Sequence, residues 1–241
     1  MRHRINPLFV GSLLALVSFD IAAADQLADG KAAIRRDDFA SALRLLLPLA
    51  DQGNADAQFE IGALYNENLQ GHARNDTEAF KYYSVAASQG HAHAMFMVSF
   101  MYCNGEGVIQ NLDECWKWLK LSAETGYSDA QLYVGWAYER GNYSDGGVLG
   151  ARNYAEAAKW FRLAADQNER FAQEALGRLY SAGDGVPEDY VISYMWFNLA
   201  AAREPPPPWS SAKQGREAIE KLMTPEQIAE AQKLSREWVP K

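Results

Sequence analysis

The sequence predicts an all-α fold, an α-solenoid of stacked antiparallel helix pairs. Three series of residues predict it. Tyr65, Tyr102, Tyr138 and Tyr180 recur at spacings of 37, 36 and 42 residues. Tyr82, Trp118, Trp160 and Trp196 recur at 36, 42 and 36, and Gly90, Gly126 and Asn168 at 36 and 42. Independent landmarks that share one period mark internal repeats, and a period of this size belongs to stacked helical hairpins. Arrays of this kind mostly present an extended surface to partners.

The chain starts with a segment expected to lie outside the fold. Met1, Arg2, His3 and Arg4 form a basic head, Leu8 to Phe19 an apolar stretch of 12 residues, and Ala22, Ala23 and Ala24 a small-residue cleavage site. This is the pattern of a secretory signal peptide over 1–24, with Asp25 as the first mature residue. Twelve apolar residues are too few to cross about 30 Å of hydrocarbon as a helix. No other segment is long and apolar enough, so no membrane span is expected after signal removal. Without residues 1–24 the chain keeps 21 basic and 30 acidic residues, a net charge of −9. That balance argues against nucleic acid, which would need clustered Lys and Arg.

The first helix of each repeat, helix A, is written four times: Ala57 to Tyr65, Ala94 to Tyr102, Ala130 to Tyr138 and Ala172 to Tyr180. Small residues at the Ala and Gly positions let a neighbouring helix approach, and the large residues between them fill its grooves. Helix B opens on a repeated cap. Asn75, Asn111 and Asn153 are each followed three residues later by Glu78, Glu114 and Glu156, the spacing of a capping box. Asp189 takes this place in the fourth repeat, where Ile192 replaces the Glu. Behind the caps, Ala79, Cys115, Ala157 and Ser193, the Tyr82–Trp196 series, then Ala87, Ala123, Ala165 and Ala201 recur at helical spacing and predict one buried stripe. Gly90 and Gly126 supply the residue that ends helix B. The A–B loops also rhyme, with Gly105 and Gly107 matching Gly183 and Gly185. The third loop, from Arg140 to Gly150, carries six extra residues, a small perturbation in such arrays.

These units resemble the Sel-one-like repeat, a relative of the tetratricopeptide repeat. The likeness rests on small-x-x-x-apolar-Gly-x-x-Tyr, then Gly-x-Gly-Val, then a capped helix with aromatic and Ala-Ala positions. It implies a right-handed, tetratricopeptide-like solenoid with four repeats over 55–203, at about 55–91, 92–127, 128–169 and 170–203. Residues 25–54 then form an N-terminal capping hairpin, with a degenerate helix near 26–36 and a second over 38–53 kinked at Pro48. Residues 204–241 are expected as a proline-rich linker, Pro205 to Pro208 with Trp209 as an anchor, then a helical cap. There Thr224, Pro225 and Gln227 carry an N-terminal capping signature. This closing segment resembles that of bacterial members of the family.

No phosphate-loop, dinucleotide or nucleophile-elbow pattern is present. His91 and His93 form the one close histidine pair. Their place between helices reads as exposed turn residues, with metal ligation the alternative if further ligands lie nearby. No cofactor is expected. Cys103 and Cys115 belong to one hairpin, so two readings stand: a disulfide, which an exported chain favours, or buried free thiols. The geometry of the related repeat implies a concave groove lined by helix A positions. They are Phe59, Phe96, Leu132 and Glu174; Ala63, Phe100, Trp136 and Arg178; Asn66, Cys103, Glu139 and Ser181. Phe100 and Trp136 are expected as an aromatic pair on adjacent repeats, the chemistry of a binding hot spot. Coverage by loops or the C-terminal cap is the other reading. The sequence therefore predicts an exported scaffold or adaptor, in the periplasm or secreted, that binds a protein or peptide. The alternative is a cell-envelope hydrolase or a regulatory subunit of an envelope or secretion complex. No catalytic constellation is found.

Overall fold

A computed structural model of the protein describes residues 22–67, 73–142, 144–145, 148–202 and 211–241. The expected signal segment before residue 22, and Pro205 to Pro208 with Trp209, lie outside the described residues. The chain divides into two compact units, Met1–Gln110 and Asn111–Lys241.

The first unit holds α1 (22–34), α2 (Phe39–Asp51), α3 (Ala55–Asn66), α4 (Asp76–Ser88) and α5 (Ala92–Asn104). Helices α2 to α5 pack in sequence order, each on the next. Ala33, Leu46, Leu49, Ile61 and Leu64 form one buried cluster. Asp25 and the Ala22–Ala24 triplet fall within α1. Helix α2 carries Pro48 inside it and runs on to Asp51.

The second unit holds α6 (Leu112–Glu124), α7 (Ser128–Arg140), α8 (Tyr154–Asp166), α9 (Arg170–Ala182), α10 (Tyr190–Ala201), α11 (Ala212–Glu220) and α12 (Pro225–Glu237). Helices α6 to α10 again pack in sequence order. The inserted loop contains two two-residue strands, β1 (Ser144–Asp145) and β2 (Val148–Leu149). They pair antiparallel, with Ser144 opposite Leu149.

Local chemistry explains the helix ends. Asn75, Asn111, Asn153 and Asp189 cap α4, α6, α8 and α10, each side chain accepting from the backbone N–H three residues on. The reciprocal half of the expected capping boxes is replaced by another contact. Glu78, Glu114 and Glu156 turn to the lysine one turn later, with Lys81, Lys117 and Lys159 at 3.4, 3.0 and 2.5 Å. A full box forms at Thr224 and Gln227, which exchange both hydrogen bonds at the start of α12. Gly90, Gly126 and Asn168 end their helices at φ of 92°, 97° and 68°. Asn153→Ala should therefore destabilise the second unit by about 1 kcal/mol. Thermal denaturation would check this, and an unchanged midpoint would mean that packing alone holds the helix end.

The small positions of the predicted stripe are buried, with Ala201 only half-buried, but its large position lies one residue further on. Tyr83, Leu119, Phe161 and Phe197 are buried, whereas Tyr82, Trp118 and Trp160 are only half-buried. Consecutive helical residues are about 100° apart, so the two sets share a period but not a face. The helix A glycines explain the choice. A Cβ on Gly135 would lie 2.5 Å from the Phe161 ring, and Gly62 and Gly177 meet Tyr83 and Phe197 in the same way. Trp196 is the exception and is fully buried. It lies in a repeat that α11 and α12 cover. Trp238 packs edge-on against it at 6.1 Å, and the backbone N–H of Lys241 donates to Asp166 at 2.7 Å. The expected helical cap over the last apolar face is present, with Tyr194, Phe197, Ala200, Ala212, Ile219 and Ala231 as its core.

Candidate functional site

Phe100 and Trp136 fall in different units, and each has its own surroundings. In the first unit, the Phe59 ring stacks on His91 at 4.7 Å and lies 4.4 Å from His93. Phe96 lies 6.3 Å from Phe100. Phe100 is 42% exposed. The histidine pair is not a pair of exposed turn residues. His91 Nδ1 accepts from the backbone N–H of Ala94 at 3.0 Å and so caps α5, while its Nε2 lies 3.2 Å from Asp56. Among the described residues no group of three or more His, Cys, Asp or Glu could hold a metal ion. Cys103 and Cys115 are both disulfide-bonded, so neither is a free thiol.

In the second unit, α7 presents a polar and aromatic strip. Trp136 is half-buried, with Tyr133 at 5.2 Å, Phe171 at 6.5 Å and the Arg140 guanidinium 5.6 Å from its ring. Glu139 accepts from Arg178 of α9 at 2.9 Å. Glu139, Arg140 and Arg178 border an open cleft of about 520 Å3, which Arg152, Tyr154, Leu179 and Asp184 also line. Two predicted lining residues are elsewhere. Leu132 is 4% exposed and belongs to the core cluster. Glu174 is buried too, and accepts from both the backbone N–H and the hydroxyl of Ser211, just before α11. The helical cap thus covers the part of the face that Glu174 would have lined. At the other end of α7 the Tyr127 hydroxyl donates to Asp129, and burial pushes that hydroxyl above the ordinary tyrosine range. Burial also raises the Glu169 carboxyl, although it accepts from the backbone N–H of Ala172 as the cap of α9.

Sequence reasoning missed a ladder of buried glutamines. Gln58 and Gln131 in helix A donate to Ala50 and Ala123, last-turn carbonyls of the preceding helix B, at 3.0 and 3.2 Å. Each then accepts from a glutamine just past the next helix B, Gln89 at 2.6 Å and Gln167 at 2.8 Å. Gln173 repeats the first contact, to Ala165. The signal was present in the recurring Ala-Gln at the start of helix A. Such pairs satisfy helix-end groups that stacking removes from water.

The fold and surface define a tandem helical-hairpin repeat protein. The chain belongs to the Sel1 repeat family, whose repeats match residues 23–54, 55–91, 92–127, 128–169 and 170–204. The N-terminal hairpin is thus matched as a repeat as well. The solved structures it resembles include a protective antigen of uropathogenic Escherichia coli strains displaying an SLR fold. That likeness has 30% identity and a TM-score of 0.68 over 82% of this chain and 40% of the antigen. Another is a Sel1 repeat protein from Oxalobacter formigenes, at 29% identity and a TM-score of 0.64, over 74% of this chain and 68% of that one. The chain therefore spans about two fifths of the length of the Escherichia coli antigen. No curated protein matches it. Sel1 repeats generally serve as scaffolds for protein–protein interaction.

Proposed function

We propose that the protein is an exported adaptor that holds a protein or peptide partner against its helix A residues. The observation that carries this reading is the exposure of a large aromatic ring, Phe100, on helix A of a scaffold repeat. Trp136, half-buried with the Arg140 guanidinium over its ring, supports it from the second unit. Aromatic side chains at a protein surface are the usual anchors of binding energy. Export is supported by the basic and apolar N-terminal pattern. Two oxidised cysteines fit an oxidising compartment.

The test is affinity capture of the mature protein from the envelope fraction of its source, with Phe100→Ala, Trp136→Ala and the double variant run in parallel. Loss of a hot-spot ring should weaken partner retention about thirtyfold, the equivalent of roughly 2 kcal/mol. Folded variants that retain every partner would remove these two rings from the interface. An absence of any partner, wild type included, would overturn the adaptor reading and direct attention to hydrolysis of envelope material.

A further inference from the structure

We infer that the cleft bordered by Arg140, Arg152 and Arg178 receives a carboxylate from a partner's peptide segment. This rests on the adaptor reading and names the chemistry of its partner. Three arginines border the cleft: Arg140 at the end of α7, Arg152 where the inserted loop returns to α8, and Arg178 in α9. They gather on a chain whose formal charge is −8. Arg178 is committed to Glu139. Arg140 contacts the Trp136 ring, which uses none of its N–H donors as hydrogen bonds to an anion would. Among the described residues neither Arg140 nor Arg152 has a carboxylate partner. Two guanidinium groups without a carboxylate partner among the described residues thus line one cleft.

Their meeting is built by the backbone. Gly141 follows α7 at φ 69°, and a Cβ there would lie 2.9 Å from the backbone nitrogen of Arg152 and 3.0 Å from the carbonyl of Gly150. The inserted loop therefore returns flush against the turn after Arg140, which sets Arg152 beside it. The loops without an insertion return in the same way, Gln110 against Gly105 and Glu188 against Gly183, so Arg152 holds a place that each of these repeats has and is the cation among the three.

The occupant follows from the remaining lining. Guanidinium groups bind carboxylates through two parallel hydrogen bonds. Glu139 and Asp184 share the same cleft. Glu139 is held by Arg178, and both carboxylates can accept the backbone N–H groups that a peptide brings. Tyr154, Leu179 and Ala182 add apolar surface. A volume of about 520 Å3 is within the usual range of ligand sites.

The test uses the full mature chain and a fluorescein-labelled peptide, Gly-Trp-Glu-Glu-Asp-Gly with blocked ends, against its amide counterpart Gly-Trp-Gln-Gln-Asn-Gly. Anisotropy titrations at low salt should show the acidic peptide bound at least tenfold more tightly, with the preference shrinking as salt screens the charges. Arg140→Gln/Arg152→Gln should abolish that preference. Both side chains are exposed, and circular dichroism will show the fold intact. Equal binding of the two peptides, or a preference unchanged in the double variant, overturns the inference. Displacement of the acidic peptide by inorganic triphosphate at equal concentration would assign the cleft to phosphate and also overturn it. The two readings fail separately. Partner capture without peptide discrimination removes the carboxylate site alone. Discrimination without any captured partner keeps the site and removes the adaptor.

Discussion

Phe161→Ala is expected to destabilise the Asn111–Lys241 unit by about 3–5 kcal/mol. Phe161 is fully buried in the cluster with Leu132, Ala157, Ala164 and Leu176. It is also the ring that rests on Gly135. A second substitution tests this contact more sharply than the first. Gly135→Ala alone places a methyl 2.5 Å from that ring. Overpacking of this kind costs about 1–3 kcal/mol, and the better helix propensity of Ala returns about 1 kcal/mol. With Phe161 present the change should destabilise. With Phe161→Ala already made, the methyl enters vacated space, the propensity gain remains, and the sign should reverse. Urea unfolding of the four proteins in the cycle measures the coupling. Additive effects would mean that Gly135 is small for another reason and that the ring does not set the distance between α7 and α8.

The same pair shows what the sequence made legible. Its period identified the repeats, because Tyr65, Tyr102, Tyr138 and Tyr180 return with every hairpin. Caps were legible because they follow from residues three apart, as at Asn153 and at Thr224 with Gln227. The facing of each position was not legible from period alone. Trp160 and Phe161 recur together, and the glycine opposite decides which enters the core. Leu132 and Glu174 were placed on the partner-facing side by analogy with a related repeat. In this chain Leu132 joins the core and Ser211 covers Glu174. His91 looked like a turn residue because a histidine cap has no common sequence pattern. The cationic cleft depends on where the loop after helix A returns, as it does past Gly105 and Gly183 too. Arg140 and Arg152 are 12 positions apart in sequence, and their proximity is a property of the loop path past Gly141.

Gly185→Ala is expected to destabilise the second unit by roughly 2–5 kcal/mol, well beyond what its turn alone would require. Gly185 has φ 68°, a left-handed conformation that costs an L-residue about 1–2 kcal/mol. A Cβ there would also overlap the backbone at Tyr154 and Ala155, the first turn of α8. Backbone cannot rotate aside as a flexible side chain can, so an overpacking cost of about 1–3 kcal/mol is added. Gly126 is the matched control. Its φ is 97°, but nothing lies within 4 Å of its ideal Cβ. Gly126→Ala should show the conformational cost alone. The difference between the two variants, read from their urea midpoints, measures how closely the loop of one repeat seats on helix B of the preceding repeat. Gly107 makes the equivalent approach to Asp76 and Thr77 in the first unit, so the loop glycine is a stacking device used in both. Equal losses for the two variants would reduce Gly185 to a turn residue and leave the register of α8 against α9 to side-chain packing.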